Sequence, residues 1–499
     1  MDLFSNLLLG FREALIPINL LYCLFGVTLG TLIGVLPGIG PLATIAMLLP
    51  ITFGLPPSAS LIMLAGIYYG AQYGGSTTSI LVNLPGESSS VVTCLDGYAM
   101  ARQGRAGPAL GIAALGSFFA GTVSTLIIAL FAPPLAEVAL RFGPAEYFSL
   151  MVLGLVAAAV LAHGSLLKAI AMIVLGLLLG LVGADVNSGA QRFAFGVPEL
   201  SDGIGFVVIA MGLFGLAEVI TNLEVRERRE IFTAGVKGLW PSRQDLRDSW
   251  KAILRGTALG SALGILPGGG ALISSFASYT LEKRLAADPS RFGKGAIEGV
   301  AGPESANNAG AQTSFIPMLT LGIPSNAVMA LMLGAMMIQG IAPGPQVMVE
   351  RPALFWGLIA SMWVGNLFLV VLNLPLIGLW IRLLTVPYRL LYPAIVLFIC
   401  IGAYGLNNNI VDVILTAGFG LLGYVFVKLE CEPAPLLLGF ILGPLMEENL
   451  RRALLLSRGD PSVLLTRPLS LALLAGAAAL LLLVLAPSFR RTREEAFLE

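Results

Sequence analysis

Two strings of hydroxyl, amide and glycine residues hold the chemistry this chain can do. The first is Tyr69-Gly70-Ala71-Gln72-Tyr73-Gly74-Gly75-Ser76-Thr77-Thr78-Ser79, followed by Asn83-Leu84-Pro85-Gly86-Glu87. The second is Pro303-Glu304-Ser305-Ala306-Asn307-Asn308-Ala309-Gly310-Ala311-Gln312-Thr313-Ser314, followed by Gly322-Ile323-Pro324-Ser325-Asn326. Neither string contains Lys or Arg. An anion would therefore be held by hydroxyls, amides and helix N-termini, whose free N–H groups and dipoles favour negative charge. Unwound backbone carbonyls would suit a hard cation such as sodium. The candidate substrate or ion ligands are Gly74, Gly75, Ser76, Thr77, Thr78, Ser79, Asn83, Pro85, Gly86, Asn308, Gln312, Thr313, Ser314, Pro324, Ser325 and Asn326. Ser, Thr and Gly also line helix contacts merely to allow close packing. For a single residue such as Ser79 or Ser314 both readings stand; the pairing of the strings is what favours function.

Each string follows a helix-breaking tip. Leu36-Pro37-Gly38-Ile39-Gly40 precedes the first and Leu266-Pro267-Gly268-Gly269-Gly270 the second. One cassette is thus used twice, with tips at Pro37, Gly38 and Gly40 and at Pro267, Gly268 and Gly270. Pro removes a backbone donor and Gly permits turns that other residues resist. In hydrocarbon, broken backbone survives only where it is buried in protein or lines a cavity. Paired Gly/Pro-interrupted segments in two halves of a membrane transporter point to its substrate site.

Other polar residues have plainer readings. Glu87 and Glu304 are costly at depth, so a cavity mouth or interface is expected for both. Asp96 precedes Gly97 and is placed to cap the following helix. Met329, Met332, Met336 and Met337 read as packing. His163, the only histidine, reads as an interfacial residue. Cys23, Cys94, Cys400 and Cys431 have no metal or disulfide spacing. A serine protease would need a histidine base near its nucleophile, and an aspartyl one two intramembrane acids. Asp96, Asp185 and Asp412 all lie near loop-like ends, so no enzyme is expected. The only ions expected are Na+ or H+ for coupling; no cofactor is required.

The elements that position these residues are membrane helices. The chain has 499 residues, 57% hydrophobic and 12% charged, against about 25% charged in soluble domains. Net charge is zero with no basic tract, so nucleic acid is not an expected partner; the bilayer is. No removed signal peptide is expected. Spans of about 20 residues are read at 109–132, 147–163, 166–186, 204–222, 353–381, 390–406, 410–428 and 468–487. The 223–255 connection carries Arg226, Arg228, Arg229, Lys237, Arg243, Arg247, Lys251 and Arg255, which makes it cytoplasmic.

Loop charge then compares the halves. Residues 54–60 have no Lys or Arg, whereas 281–300 has Lys283, Arg284, Arg291 and Lys294. After the cassettes the sign reverses: Arg102 and Arg105 follow the first, and 336–350 has none. Equivalent loops on opposite faces predict an inverted repeat. Only about 25 residues separate two cytoplasmic points at 255 and 281, where two full spans need about 40. The LPGGG segment is therefore expected to tip a re-entrant hairpin, with LPGIG as its mirror. The GAQ strings would each make one broken crossing. The expected fold is an all-α polytopic membrane protein of two inverted-topology repeats, each with a Gly/Pro-tipped re-entrant hairpin and a broken helix, and roughly 11–12 crossings in all. The divisions are 1–222 (cassette 30–90), 223–255, 256–446 (cassette 260–326) and 447–499. Residues 434–446 are short for a span. Residues 447–467 carry Arg451, Arg452, Arg458 and Arg467, which resist an outside placement and suggest an amphipathic interfacial segment.

At these strings the chain resembles the large membrane subunit of tripartite tricarboxylate transporters. The matching pieces are LPGIGP at 36–41, YGAQYGGSTTSILVNLPGE at 69–87, Asp96-Gly97-Tyr98-Ala99-Met100, PESANNAGAQ with LGIPSN at 303–326, and GPLMEENLRRAL at 443–454. The resemblance implies a secondary transporter of a bacterial inner membrane. It implies two partners, a small membrane subunit of about four helices and a periplasmic solute-binding protein that delivers an organic carboxylate such as citrate. It implies sodium or proton coupling without an ATPase, and no GxxxxGK[ST] loop is present. The other reading is a stand-alone symporter or channel.

Overall fold

The computed structural model describes residues 3–36, 40–162, 165–185, 188–224, 238–266, 270–384 and 388–485. The tips Pro37, Gly38, Pro267 and Gly268 lie outside them, as do His163, Arg226, Arg228, Arg229 and Lys237. The architecture is all-α and multi-pass. Among the described residues six helices are long and apolar enough to cross a membrane, and shorter apolar helices accompany them.

The first half contains α1 (Leu3–Ala14), α2 (Pro17–Val35), α3 (Pro41–Thr52), α4 (Pro57–Val82), α5 (Ala106–Ala139), α6 (Pro144–Leu161), α7 (Leu166–Gly180) and α8 (Phe206–Glu224). The second contains α9 (Arg243–Gly264), α10 (Gly270–Leu285), α11 (Glu298–Thr313), α12 (Phe315–Leu321), α13 (Ala327–Ile338) and α14 (Pro352–Asn373). It closes with α15 (Tyr388–Asn407), α16 (Ile410–Lys428), α17 (Ala434–Leu456) and α18 (Pro468–Leu485). Pro17, Pro41, Pro57, Pro144 and Pro352 stand in first turns, where the missing N–H costs nothing. α9 starts inside the basic connection, on a capping box: Asp245 N donates to Ser242 Oγ (3.1 Å) and Ser242 N to Asp245 Oδ2 (2.9 Å).

Each cassette is a helix pair packed at backbone distance. On α2, a Cβ at Gly26, Gly30 or Gly34 would lie 2.3, 2.4 or 2.3 Å from the carbonyls of Met63, Ile67 and Ala71 on α4. On α9, a Cβ at Gly256, Gly260 or Gly264 would lie 2.3, 2.2 or 2.4 Å from the carbonyls of Gly302, Ala306 and Gly310 on α11. Only glycine allows such approach. The breaks expected within the GAQ strings lie instead at their C-terminal ends. α4 runs unbroken through Gly70-Ala71-Gln72 to Val82, and α11 continues through a kink at Ser314 into α12.

Two further spans differ from the sequence reading. The expected 353–381 span stops at Asn373, after which 377–383 is a separate short helix. Residues 434–446 do not stand alone; they continue into one 23-residue helix, α17.

Ion pairs group the helix ends. Arg451 meets Asp185 (2.8 Å) and Glu447 (2.6 Å), Arg192 meets Glu447 (2.9 Å), and Arg467 meets Glu146 (2.6 Å). The starts of α6 and α18, the 183–192 hairpin after α7 and the end of α17 are thereby at one end of the molecule. At the other end Lys428 pairs with Glu224, and Lys168 donates to Leu429 O (2.8 Å). Exposed pairs add at most about 1 kcal/mol each; here they mark position.

Candidate functional site

The two breaks are built alike. α4 ends at Asn83 and α12 at Gly322, both in the left-handed region (φ 58° and 70°). Three and two residues before the next helical turn come Pro85-Gly86 and Pro324-Ser325. Glu87 and Asn326 then hold matching extended backbones (φ −151° and −153°) as N-caps. Asn326 Oδ1 accepts from Met329 N (2.9 Å), and the Glu87 turn closes through the Ser90 hydroxyl, which donates to Glu87 O (2.9 Å). Gly86 is forced by contact: a Cβ there would sit 1.8 Å from Gly34 O. A Cβ at Gly74 would lie 2.3 Å from Thr31 O, and Gly75 faces Glu87 and Ser90.

Several candidate ligands hold the backbone. Thr78 Oγ1 donates to Val35 O (2.8 Å), tying α4 to the end of α2. Ser79 donates to Ser90 O (2.9 Å) across the break. Thr313 and Ser314 donate to carbonyls of their own helix, Ala309 O (3.0 Å) and Ala311 O (2.6 Å), and Ser325 donates to Ser314 O (3.3 Å).

Others bring the cassettes together. Asn326 Nδ2 donates to Tyr68 Oη on α4 (3.4 Å), and Gly270 packs beside Asn326. Ser76 on α4 reaches the Glu304 carboxylate on α11, which also accepts from Thr93 and from Asn307 Nδ2 (3.2 Å). Glu304 is therefore not at a mouth, as the sequence suggests; it is fully buried (0% exposed), and hydroxyls and an amide make that depth tolerable. Glu87 is half-buried and takes Gln72 Nε2 at 3.4 Å. One turn past Glu304, Asn308 Nδ2 donates to Ser117 Oγ of α5 (2.8 Å), and Gln312 Oε1 lies 2.5 Å from Thr125 Oγ1. Asn308 Oδ1 and Gln312 Nε2 are buried without a hydrogen-bond partner. Beside Ser76 and Thr77 lies a cavity of about 10 Å³, bounded also by Tyr73, Leu110 and Asn373. That is about one water's room.

Family membership follows from the sequence pattern carried by these elements. The pattern of the tripartite tricarboxylate transporter TctA family matches residues 20–438, from α2 into α17. The chain belongs to that family. It is accordingly the large subunit type of a tripartite tricarboxylate transporter, a multi-pass membrane protein. Two relatives come from Agrobacterium vitis. An uncharacterized 52.8 kDa protein in the TAR-I ttuC' 3' region is 62% identical over 499 residues, covering all of this chain and 99% of its own. An uncharacterized protein in the TAR-II ttuC' 3' region is 61% identical over 240 residues, 48% of this chain and 99% of its own. No solved structure matches the chain.

Some residues of the polar cluster escape sequence reasoning. Asp96 does not cap the helix that follows it: its carboxylate accepts from Gly295 N (2.7 Å) and Ala296 N (2.8 Å) in the loop ahead of α11, and from Tyr279 Oη (3.0 Å). Glu218 of α8 accepts from Gly40 N at the first tip (3.0 Å). Thr93, Ser117 and Thr125 join the polar cluster from helices read only as span or loop. Their one sequence signal is a hydroxyl inside an apolar run. Met329, Met332 and Met336 are buried, in keeping with the packing reading.

Proposed function

We propose that the chain imports an organic tri- or dicarboxylate such as citrate by alternating access, driven by a sodium or proton gradient. It works in a bacterial inner membrane with a small subunit of about four helices and a periplasmic solute-binding protein. The observation that carries the reading is the buried polar contact between the two cassettes, Ser76 of α4 with Glu304 of α11. One and two turns along α11, Asn308 Oδ1 and Gln312 Nε2 remain unsatisfied. An unsatisfied buried polar group costs about 1–3 kcal/mol, a cost that an arriving carboxylate or cation would relieve. Ser76, Thr77, Asn308, Gln312 and Asn326 are the ligands in this reading. Thr78, Ser79, Thr313 and Ser314 shape the breaks.

Inverted repeats suit the contacts. The end of α3 and start of α4 meet Gln339, whose Nε2 lies 3.3 Å from Ser60 Oγ. Gly334 of α13 packs on Phe206, at the start of α8. The end of α10 and start of α11 instead lie near the loop after the first cassette, where Gln103 Nε2 donates to Lys294 O (2.7 Å). The hairpins would thus enter from opposite faces.

Coupling is required by charge. Against about 100 mV, inside negative, each negative charge imported costs roughly 2.3 kcal/mol, so a trianion needs cations with it. Cysteines replacing Phe206 and Gly334 test the motion. Their disulfide ties α8 to α13, and uptake should stop until reduction. Undiminished uptake with the bond formed would count against alternating access.

A further inference from the structure

The contact between the cassettes holds one acid in an unusual setting. Glu304 is 0% exposed, and its partners are the Ser76 and Thr93 hydroxyls and Asn307 Nδ2. Among the described residues no Lys or Arg pairs with it. An ionised carboxylate in that position would lack any counter-charge, which a low-dielectric interior penalises heavily.

Hydrogen counting accommodates the neutral acid. Ser76 has one hydroxyl hydrogen and two acceptors in reach, Gln72 O (3.1 Å) and the Glu304 oxygen Oε2. It cannot serve both. If Glu304 is protonated, its O–H donates to Ser76 Oγ, and Ser76 donates to Gln72 O, while Thr93 fills Oε1 and Asn307 fills Oε2. Every hydrogen then has an acceptor.

The other titratable groups around Glu304 do not supply a cation. From α4 comes Tyr73, and from the segment after the first break come Glu87, Cys94 and Asp96. From α10 come Tyr279, tied to Asp96, and Glu282, tied to Arg255 of α9. α5 brings Ser117 and no charge to this level.

We propose that Glu304 is the group that carries the coupling proton. This rests on the transporter reading and deepens it by choosing the proton. With the cassettes closed, Glu304 holds the proton against Ser76. When they part toward the inner face, water reaches the acid, the O–H bond breaks, the proton passes to that water, and carboxylate remains. On return, the carboxylate takes a proton from the outer side.

Infrared titration of the purified full-length chain in lipid tests the assignment. The expected result is a protonated-carboxylic-acid carbonyl band at neutral pH that disappears in E304Q and shifts in S76A. S76A keeps the test open if E304Q does not fold. No such band at neutral pH, or a band unchanged in both variants, overturns the proposal. In proteoliposomes with the small subunit and binding protein, wild-type citrate accumulation should rise about tenfold per pH unit of inward gradient for each coupled proton. Citrate accumulation that ignores pH but follows sodium overturns it too. If wild type moves no citrate at all, the substrate reading fails, and the infrared band still decides whether Glu304 holds a proton.

Discussion

Asp96 and Asn326 illustrate how single side chains settle matters that sequence leaves open. Asn326 caps its own helix, whereas Asp96 serves loop backbone 199 and 200 residues away, a pairing invisible to local spacing. Asp96→Ala leaves two N–H groups and the Tyr279 hydroxyl without their acceptor. The expected loss is about 1–3 kcal/mol, read as a lower unfolding midpoint; an unchanged midpoint would contradict this role. The break residues were legible because Pro, Gly and Asn announce turns by type. The mouth expected for Glu304 fails because the string PESANN gives no hint of the Ser76 and Thr93 hydroxyls that come from the other half.

Among elements, the two glycine-bearing pairs, α2 with α4 and α9 with α11, dominate. Gly→Ala in a helix ordinarily gains up to about 1 kcal/mol. At Gly260 the sign should reverse, since the new Cβ would lie 2.2 Å from Ala306 O; at Gly418 of α16 nothing lies within 4 Å. Gly260→Ala should lower the unfolding midpoint and Gly418→Ala should not. Equal effects would mean that the close packing of α9 on α11 is not under strain from bulk. Helix type was legible from apolar length. Helix ends were less so: α17 carries Glu447, Glu448, Arg451 and Arg452, and hydropathy alone reads its second half as interface. Those charges are paired, Arg452 with Glu448 (2.5 Å) and Arg451 with Asp185 and Glu447.

For the molecule as a whole, the ion-paired ends make a directional claim. Ala190 and Ser462 are exposed at the end marked by Asp185 and Glu146, and Asp288 is exposed in the loop between α10 and α11. In cells carrying single cysteines at these positions, with Cys94, Cys400 and Cys431 replaced, an impermeant thiol reagent should label 190 and 462. Position 288 should label only after permeabilisation. Labelling of all three from outside would contradict the inverted arrangement. Loop charge suggests this orientation because Lys and Arg stay cytoplasmic for reasons independent of packing. The meeting of the cassettes depends on contacts between residues more than 200 apart, which no local pattern encodes.

Uptake of labelled citrate into proteoliposomes holding this subunit and its small partner, with binding protein added outside, tests the central claim most directly. Accumulation should require the binding protein and should cease when the ion gradients are collapsed. Accumulation without the binding protein, or undiminished after collapse of both sodium and pH gradients, would contradict it.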